Sequence, residues 1–293
     1  MSAQQVSAAQ PTPIQIFNTI QGVQRAYALK AATDLGLFTA IARGNHTASE
    51  IAKACNAAER GIRILSDAMV VMGFLTKSEN EYALTPDSAF FLDKNSPAYM
   101  GKAFNFLLHP MQIGNFQQLG ATAMRGGSTE ETASLGPEDP LWVDFANGMA
   151  PMMMPAAQAI AGILQTELAS RPTAKILDIA ASHGLFGITV AQRLPNAHIY
   201  ALDWANVLEV AKKNAQTQGL EDRYHLLPGS AFDLDYGTSY DSILITNFLH
   251  HFEPATIEKI LKKAHAALNP GGQVIILEFV PNDDRVSPPV QAM

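Results

Sequence analysis

The run Lys175-Ile-Leu-Asp178-Ile-Ala-Ala-Ser-His-Gly184 is where the residue types of this chain first suggest chemistry. An apolar stretch ends in an acid, small residues follow, and a glycine opens an apolar helix at 185–193. That pattern predicts a strand, a tight turn and a helix N-terminus. Such a turn offers backbone N–H groups and the positive end of a helix dipole to a ligand. Nineteen residues after Gly184, a second strand, His198-Ile-Tyr-Ala-Leu-Asp203, ends in another acid. A carboxylate there can take both hydroxyls of a ribose. The pair points to a nucleoside-containing cofactor on an open α/β sheet.

The elements around these acids must build that sheet. Strands are predicted at 175–180, 198–203, 223–228, 240–246 and 273–279, and helices at 185–193, 205–217 and 254–268. Pro254 sits in the first turn of the last helix, and Asn269-Pro-Gly-Gly272 reads as its stop. Glu258 and Lys262 form an i,i+4 pair on it. The alternation means a doubly wound, mostly parallel sheet over 169–293.

The N-terminal part has a different pattern. Residues 1–12 read as a loose tail. Residues 13–105 read as a compact helical domain, with apolar residues at helical spacing from 14 to 40. Thr47-Ala-Ser-Glu50 is a capping box opening a helix at 48–55, and a third helix covers 59–72. A hairpin over 73–85, turning at 77–81, completes a winged-helix pattern. A DNA-reading third helix would be basic, yet 59–72 is mostly apolar. Residues 1–100 hold eight Lys/Arg against eight Asp/Glu, so the expected role is packing or dimerisation. Residues 106–168 read as a connector. Its loop signals lie at 126–132 and 135–140, followed by a helix at 141–150, a break at Pro151-Met-Met-Met-Pro155, and a helix to about 168.

Composition narrows the classes. The chain has 293 residues, 47% hydrophobic and 16% charged, which is globular. A net charge of −7 argues against a broad nucleic-acid or anionic-membrane footprint. The single cysteine, Cys55, leaves no intramolecular disulfide, and a reducing cytoplasm fits. The first basic residue is Arg25, so no signal peptide is expected, and no apolar run spans a bilayer. His250 and His251 are adjacent, and no acid–His spacing suggests a facial triad, so no metal is expected.

Four stretches together resemble class I S-adenosylmethionine-dependent O-methyltransferases with an N-terminal winged-helix dimerisation domain. They are Ile176–Gly184, Ala201-Leu-Asp203, Pro228-Gly-Ser-Ala-Phe232, and Asn247-Phe-Leu-His-His-Phe-Glu-Pro254 with Ala267–Glu278. The likeness runs from about Phe17 to Pro289 and implies a homodimer acting on a small aromatic. It implies that Asp178 and the turn through Ala180, Ser182 and Gly184 face the methionine end of S-adenosylmethionine. Asp203 would bind the ribose, and Trp204 would lie against the adenine. Gly229, Ser230, Ala231 and Phe232 would edge the base, and Asn247 would complete the cofactor site. His250 matches the family's general base and Glu278 the acid that orients it. Phe145 and Met149 match residues near the acceptor.

A neutral imidazole suits a phenol. Its pKa of about 6.5 lets it take the proton of a hydroxyl near 10 as the new bond forms. A carboxylate on the far ring nitrogen would fix the tautomer. The departures from the pattern also carry expectations. Ala180 and Ser182 stand where the family has glycine, which predicts weaker or shifted cofactor binding. Ser230 replaces an acid, and His251 stands where an acid is common. Family members continue past the position of Pro289 with a helix and a hairpin. The sequence is therefore either shorter than the whole protein, or its fifth strand forms an apolar sheet edge. The alternatives are a non-catalytic cofactor-binding scaffold and an NAD-dependent oxidoreductase. Asp178 inside the turn and the lack of G-x-G-x-x-G count against the second.

Overall fold

The computed structural model describes residues 10–127, 136 and 138–292. Most of the predicted tail, and most of the loop signals between 126 and 140, lie outside those residues. The chain divides into two compact units, Met1–Gly101 and Lys102–Met293.

The first unit is helical with one hairpin. Its helices are α1 (Ile14–Ile20), α2 (Gly22–Asp34), α3 (Leu37–Ala42), α4 (Ala48–Ala54), α5 (Glu59–Val71) and α6 (Pro86–Phe91). The apolar stretch read as one helical region is three helices: α1 and α2 meet at Gln21, and Gly36 turns left-handed (φ 76°) between α2 and α3. Thr47 caps α4 in a complete capping box with Glu50, as its spacing predicts. Strands β1 (Leu75–Ser78) and β2 (Glu81–Leu84) pair as the expected hairpin. Buried Leu37, Phe38, Ile41, Ile51, Ile62, Met69 and Tyr82 form the interior of this unit.

The second unit opens with α7 (Ala103–Leu107), α8 (Pro110–Gln117), α9 (Leu119–Arg125) and a long helix α10 (Pro140–Leu168). Here the predicted break at Pro151-Met-Met-Met-Pro155 is overturned: both prolines lie inside one 29-residue helix. Each proline withholds an N–H and disfavours the helix locally. Burial on both sides of the break outweighs that. Leu141, Ala146 and Gly148 are buried before it, and Met153, Ala157, Ile160, Ala161, Leu164 and Leu168 within and after it. Close packing adds to this, since a Cβ at Gly148 would come within 2.6 Å of the Ala103 Cα.

The rest is the expected doubly wound sheet. Strands β3 (Ala174–Ile179), β4 (Ala197–Asp203), β5 (Tyr224–Pro228), β6 (Tyr240–Thr246) and β7 (Leu268–Leu277) are all parallel, in the order β5-β4-β3-β6-β7. Helices α11 (Leu185–Arg193), α12 (Ala205–Thr217) and α13 (Pro254–Ala267) connect them. Side chains alternate across the strands. Ile176, Ile199, Ala201 and Leu244 pack under α10, α11 and α12, while Leu177, Ile179, Leu202, Ile243 and Ile245 pack under α13. Strand β7 begins at Leu268, earlier than predicted: Asn269-Pro-Gly-Gly272 forms an irregular, bulged strand start and not a free loop. Among the described residues β7 is an edge strand, and Ile276 is 47% exposed on it. Successive strands are added outward on one side from β3 to β5 and then on the other side from β6 to β7, which makes the carboxyl ends of β3 and β6 the switch point where ligands settle in such sheets.

Candidate active site

Every predicted cofactor and base residue of the sheet lies at the carboxyl end of a strand or just past it. After β3 the chain makes a turn through three left-handed positions: Ala180 (φ 56°), Ser182 (φ 50°) and Gly184 (φ 74°). Only the third carries a glycine, so two non-glycine residues hold a strained conformation. Gly184 is required for space as well, since a Cβ there would come within 2.6 Å of the Tyr224 hydroxyl. The turn is fastened from three sides. Asp203 Oδ2 accepts the Ser182 N–H at 2.8 Å, His183 Nδ1 accepts the Leu185 N–H at 3.1 Å, and Asn214 Nδ2 donates to the His183 carbonyl at 2.9 Å.

Asp178 is fully buried. Its Oδ2 accepts the Gly187 N–H at 3.1 Å, and its Oδ1 has no partner in the protein. Burial raises its carboxyl to about 7, and Asp203 adds to the shift. Burial raises Asp203 to about 6, against the N–H groups of Ser182 and Trp204 that favour its charge. Asp203 Oδ1 accepts the Trp204 N–H at 2.7 Å. A carboxylate offers about four lone-pair sites, so two remain for ribose hydroxyls. The buried Ser182 Oγ and Asn247 Oδ1 also lack partners. Buried polar atoms are normally satisfied, so orphans grouped around one turn fit a bound polar ligand.

After β5, Gly229 (φ 152°) donates its N–H to the Asp203 carbonyl at 2.9 Å. Ser230 Oγ accepts the Phe232 N–H at 3.1 Å, and Lys263 Nζ donates to the Ala231 and Phe232 carbonyls at 3.2 and 2.9 Å. Ala231 is buried, whereas the Phe232 ring is half-exposed and edge-on to Phe252 at 5.1 Å. Trp204 precedes α12 and is partly exposed.

After β6, the turn Leu249–His251 presents His250. His250 Nδ1 lies 2.7 Å from Glu278 Oε2, at the end of β7. The other oxygen, Oε1, accepts the N–H groups of Phe248 and Leu249 at 2.9 and 2.7 Å. A carboxylate oxygen accepts, so Nδ1 is the donor in this contact and Nε2 is the ring nitrogen that Glu278 does not engage. His251 stacks obliquely on His250 at 4.0 Å, and burial together with His250 lowers its pKa.

Phe145 and Met149 stand one helical turn apart on α10, and Met153 follows one turn later on the same stripe. Met153 Sδ accepts from Asn247 Nδ2 at 3.2 Å, which aims that stripe at the end of β6. Phe145 meets Phe106 and Trp142 edge-on at 5.0 and 6.3 Å, and Trp142 meets His251 at 6.2 Å. Met152 and Met154 are 45% and 41% exposed and leave this stripe.

Sequence reasoning passed over several of these groups. His183 reads as one of several small or polar turn residues. Burial lowers it to about 4, so it is a neutral acceptor for the first turn of α11. Its place just before a helix-opening glycine was the available signal. The Met153–Asn247 contact joins residues 94 positions apart and has no local signal.

Known proteins resemble this chain in both units. Residues 17–94 match the O-methyltransferase dimerisation domain family, and residues 176–272 match a methyltransferase domain family. The crystal structure of a candidate O-methyltransferase from Nostoc punctiforme is 49% identical, covering 97% of this chain and 85% of that one, with a TM-score of 0.88. This chain belongs to the S-adenosylmethionine-dependent O-methyltransferases. The 3-hydroxy-5-methyl-1-naphthoate 3-O-methyltransferase of Streptomyces sahachiroi is 23% identical, over 94% of this chain and 80% of that protein. Human N-acetylserotonin methyltransferase in complex with S-adenosylmethionine shares the fold at a TM-score of 0.80 and 18% identity, over 97% and 85% of the two chains. As a member of that family, with a methyltransferase domain over residues 176–272, the chain uses S-adenosylmethionine. Among the described residues, no helix is long and apolar enough to cross a membrane, and no three His, Cys, Asp or Glu side chains group as a metal site.

Proposed function

We propose that this O-methyltransferase methylates a hydroxyl of a small aromatic molecule, with His250 as general base and Glu278 as its positioning residue. The observation that carries this reading is the 2.7 Å contact between His250 Nδ1 and Glu278 Oε2, which leaves Nε2 free to take a proton. S-adenosylmethionine, when bound, supplies a methyl group already activated on a sulfonium. The work left to the chain is alignment and proton removal. Asp203, with two lone pairs unused, would hold the ribose, and the Asp178–Gly184 turn would hold the amino-acid end. Trp204 and the segment from Gly229 to Phe232 would flank the adenine. His250 would accept the hydroxyl proton, and Glu278 would stabilise the imidazolium formed.

The aromatic acceptor is supported by the wall of Phe106, Phe145, Trp142 and His251 beside His250, because flat rings pack edge-on and offset against such side chains. Met149 on the same stripe adds an adaptable apolar contact. The naphthoate acceptor in the name of the Streptomyces relative is of the same class. Dimerisation through the first unit is supported by α1. Its Ile14, Ile16, Phe17 and Ile20 are each 58–64% exposed and none of its residues is buried.

The test is transfer of a labelled methyl group from S-adenosylmethionine to a panel of hydroxylated naphthoates, anthraquinones and simple phenols. Turnover of at least one that His250→Ala abolishes supports the reading. Turnover only of amines, or turnover indifferent to His250→Ala, refutes it. Sedimentation of the full chain as a monomer at micromolar concentration would refute the dimer.

A further inference from the structure

Asn247 stands where the two halves of the site meet. It follows β6, which pairs with β3 on one side and β7 on the other. The cofactor turn leaves the end of β3, and His250 lies three residues further along the chain. The Asn247 backbone is pinned, with φ at 50° and its N–H donated to the Leu277 carbonyl at 2.7 Å. Asparagine tolerates the left-handed region better than other non-glycine residues, and here the Leu277 bond fixes it in that conformation.

Its carboxamide is asymmetric in its surroundings. Nδ2 donates to the Met153 thioether at 3.2 Å, whereas Oδ1 is buried without a partner. A thioether accepts and never donates, so the sulfur decides which way the amide faces. Turning it over would set oxygen lone pairs against sulfur lone pairs. Leaving a carbonyl oxygen buried and unpaired costs about 1–3 kcal/mol unless a ligand meets it. A methyl in transfer must lie between the cofactor turn and the base, and Asn247 stands at the end of β6, between β3, from whose end the turn leaves, and β7, at whose end Glu278 holds His250.

We propose that Met153 orients the Asn247 carboxamide so that its oxygen meets the sulfonium end of the bound cofactor, favouring S-adenosylmethionine over S-adenosylhomocysteine. The inference rests on the site described under the proposed function. The carbonyl dipole attracts the positive sulfur and its polarised C–H groups, and this attraction disappears when the sulfur becomes a neutral thioether. The contact therefore discriminates substrate from product and eases product release. Asn247 would touch the cofactor, and Met153 acts through it as a positioning residue.

The experiment is calorimetric titration of both compounds into the full chain and three variants, with thermal melts alongside. Asn247→Leu removes both polar ends, Asn247→Asp keeps the acceptor and adds charge, and Met153→Leu replaces the thioether acceptor by a branched hydrocarbon of similar size. Asn247→Leu is expected to weaken S-adenosylmethionine about tenfold, the scale of one hydrogen bond to a charged group, and to leave S-adenosylhomocysteine within about twofold. Met153→Leu is expected to lose a smaller part of the same ratio, and Asn247→Asp to keep or enlarge it. Equal weakening of both compounds overturns the proposal, because Oδ1 would then meet the shared amino-acid end. An unchanged ratio in both Asn247 variants overturns it as well. An unchanged ratio in Met153→Leu alone removes Met153 from it. Should Asn247→Leu not fold, the direction of Asn247→Asp decides, and a fall in the ratio there refutes the idea. Failure of the unaltered protein to bind either compound would instead sink the cofactor site on which the inference rests.

Discussion

Glu278 Oε2 lies 2.7 Å from His250 Nδ1, and Glu278 Oε1 accepts both N–H groups of the turn that carries the histidine. One carboxylate therefore sets the ring tautomer and the position of the turn together. His250→Ala should lower kcat by about 10²–10⁴-fold with little change in S-adenosylhomocysteine affinity. Glu278→Gln should lower kcat too, and it should also cost thermal stability, because an amide oxygen is a weaker acceptor for the two N–H groups. A Glu278→Gln variant with full activity would remove the acid from the mechanism.

Asp203 fixes the turn after β3 through the bond from the Ser182 N–H to Oδ2, and under the proposed function its spare lone pairs would take the ribose hydroxyls. Asp203→Ala should abolish measurable cofactor binding and lower the melting temperature even without ligand. If calorimetry finds binding intact, the ribose contact lies elsewhere.

The raised carboxyls of Asp178, about 7, and Asp203, about 6, set a pH dependence. Both folded values lie above the ordinary carboxyl value of 3.8. Their contribution to stability is therefore fully present below about pH 4 and is lost as pH rises through 6 and 7. Each pH unit in that window costs at most about 1.4 kcal/mol per ionising group. His183, lowered to about 4, contributes with the opposite sign below its ordinary 6.5, so the carboxyl contribution is read as a difference: the margin by which the ligand-free protein melts above Asp178→Asn should be larger at pH 5.5 than at pH 8. A cationic sulfonium favours the ionised carboxylates. Binding of S-adenosylmethionine near pH 6 should thus release protons, visible as a buffer-dependent heat. No dependence on buffer would mean the acids stay protonated in the complex.

Ala180 and Ser182 hold backbone angles that favour glycine, at φ 56° and 50°. Each costs about 1–2 kcal/mol, and a glycine there would give back roughly half in unfolded-chain entropy. Ala180→Gly and Ser182→Gly should each stabilise the protein by about 0.5–1 kcal/mol, read as a rise in denaturant midpoint at constant slope. A fall would show that the Ala methyl or the Ser hydroxymethyl contributes packing that offsets the strain.

What was legible in the sequence is what local spacing encodes. The β3 turn, the acid ending β4, the Thr47 capping box and the proline-started α13 each follow from neighbours a few residues apart. The alternation of strands and helices then implies the parallel sheet. The unbroken α10 was not legible, because two prolines within five residues signal a stop, and only burial along both halves outweighs it. His183 as a buried neutral acceptor, the orphaned Asp178 oxygen and the Met153–Asn247 contact arise from segments far apart in the chain. Strain at Ala180 and Ser182 was foreseeable only as a missing glycine; the angles themselves belong to the fold.

Gly184 and Tyr224 offer the sharpest test of the turn. A Cβ at Gly184 would come within 2.6 Å of the Tyr224 hydroxyl, and φ is 74° there. That hydroxyl is buried and unpartnered. Tyr224→Phe alone should be neutral or stabilising by about 1 kcal/mol, since it removes an unsatisfied polar atom. Gly184→Ala should destabilise by about 2–4 kcal/mol, combining left-handed strain with the clash. The two effects are coupled through one contact, so Gly184→Ala should cost about 1–2 kcal/mol less when Tyr224 is already Phe. Strict additivity in this cycle would mean that strain alone, and not the hydroxyl, requires glycine at the head of α11.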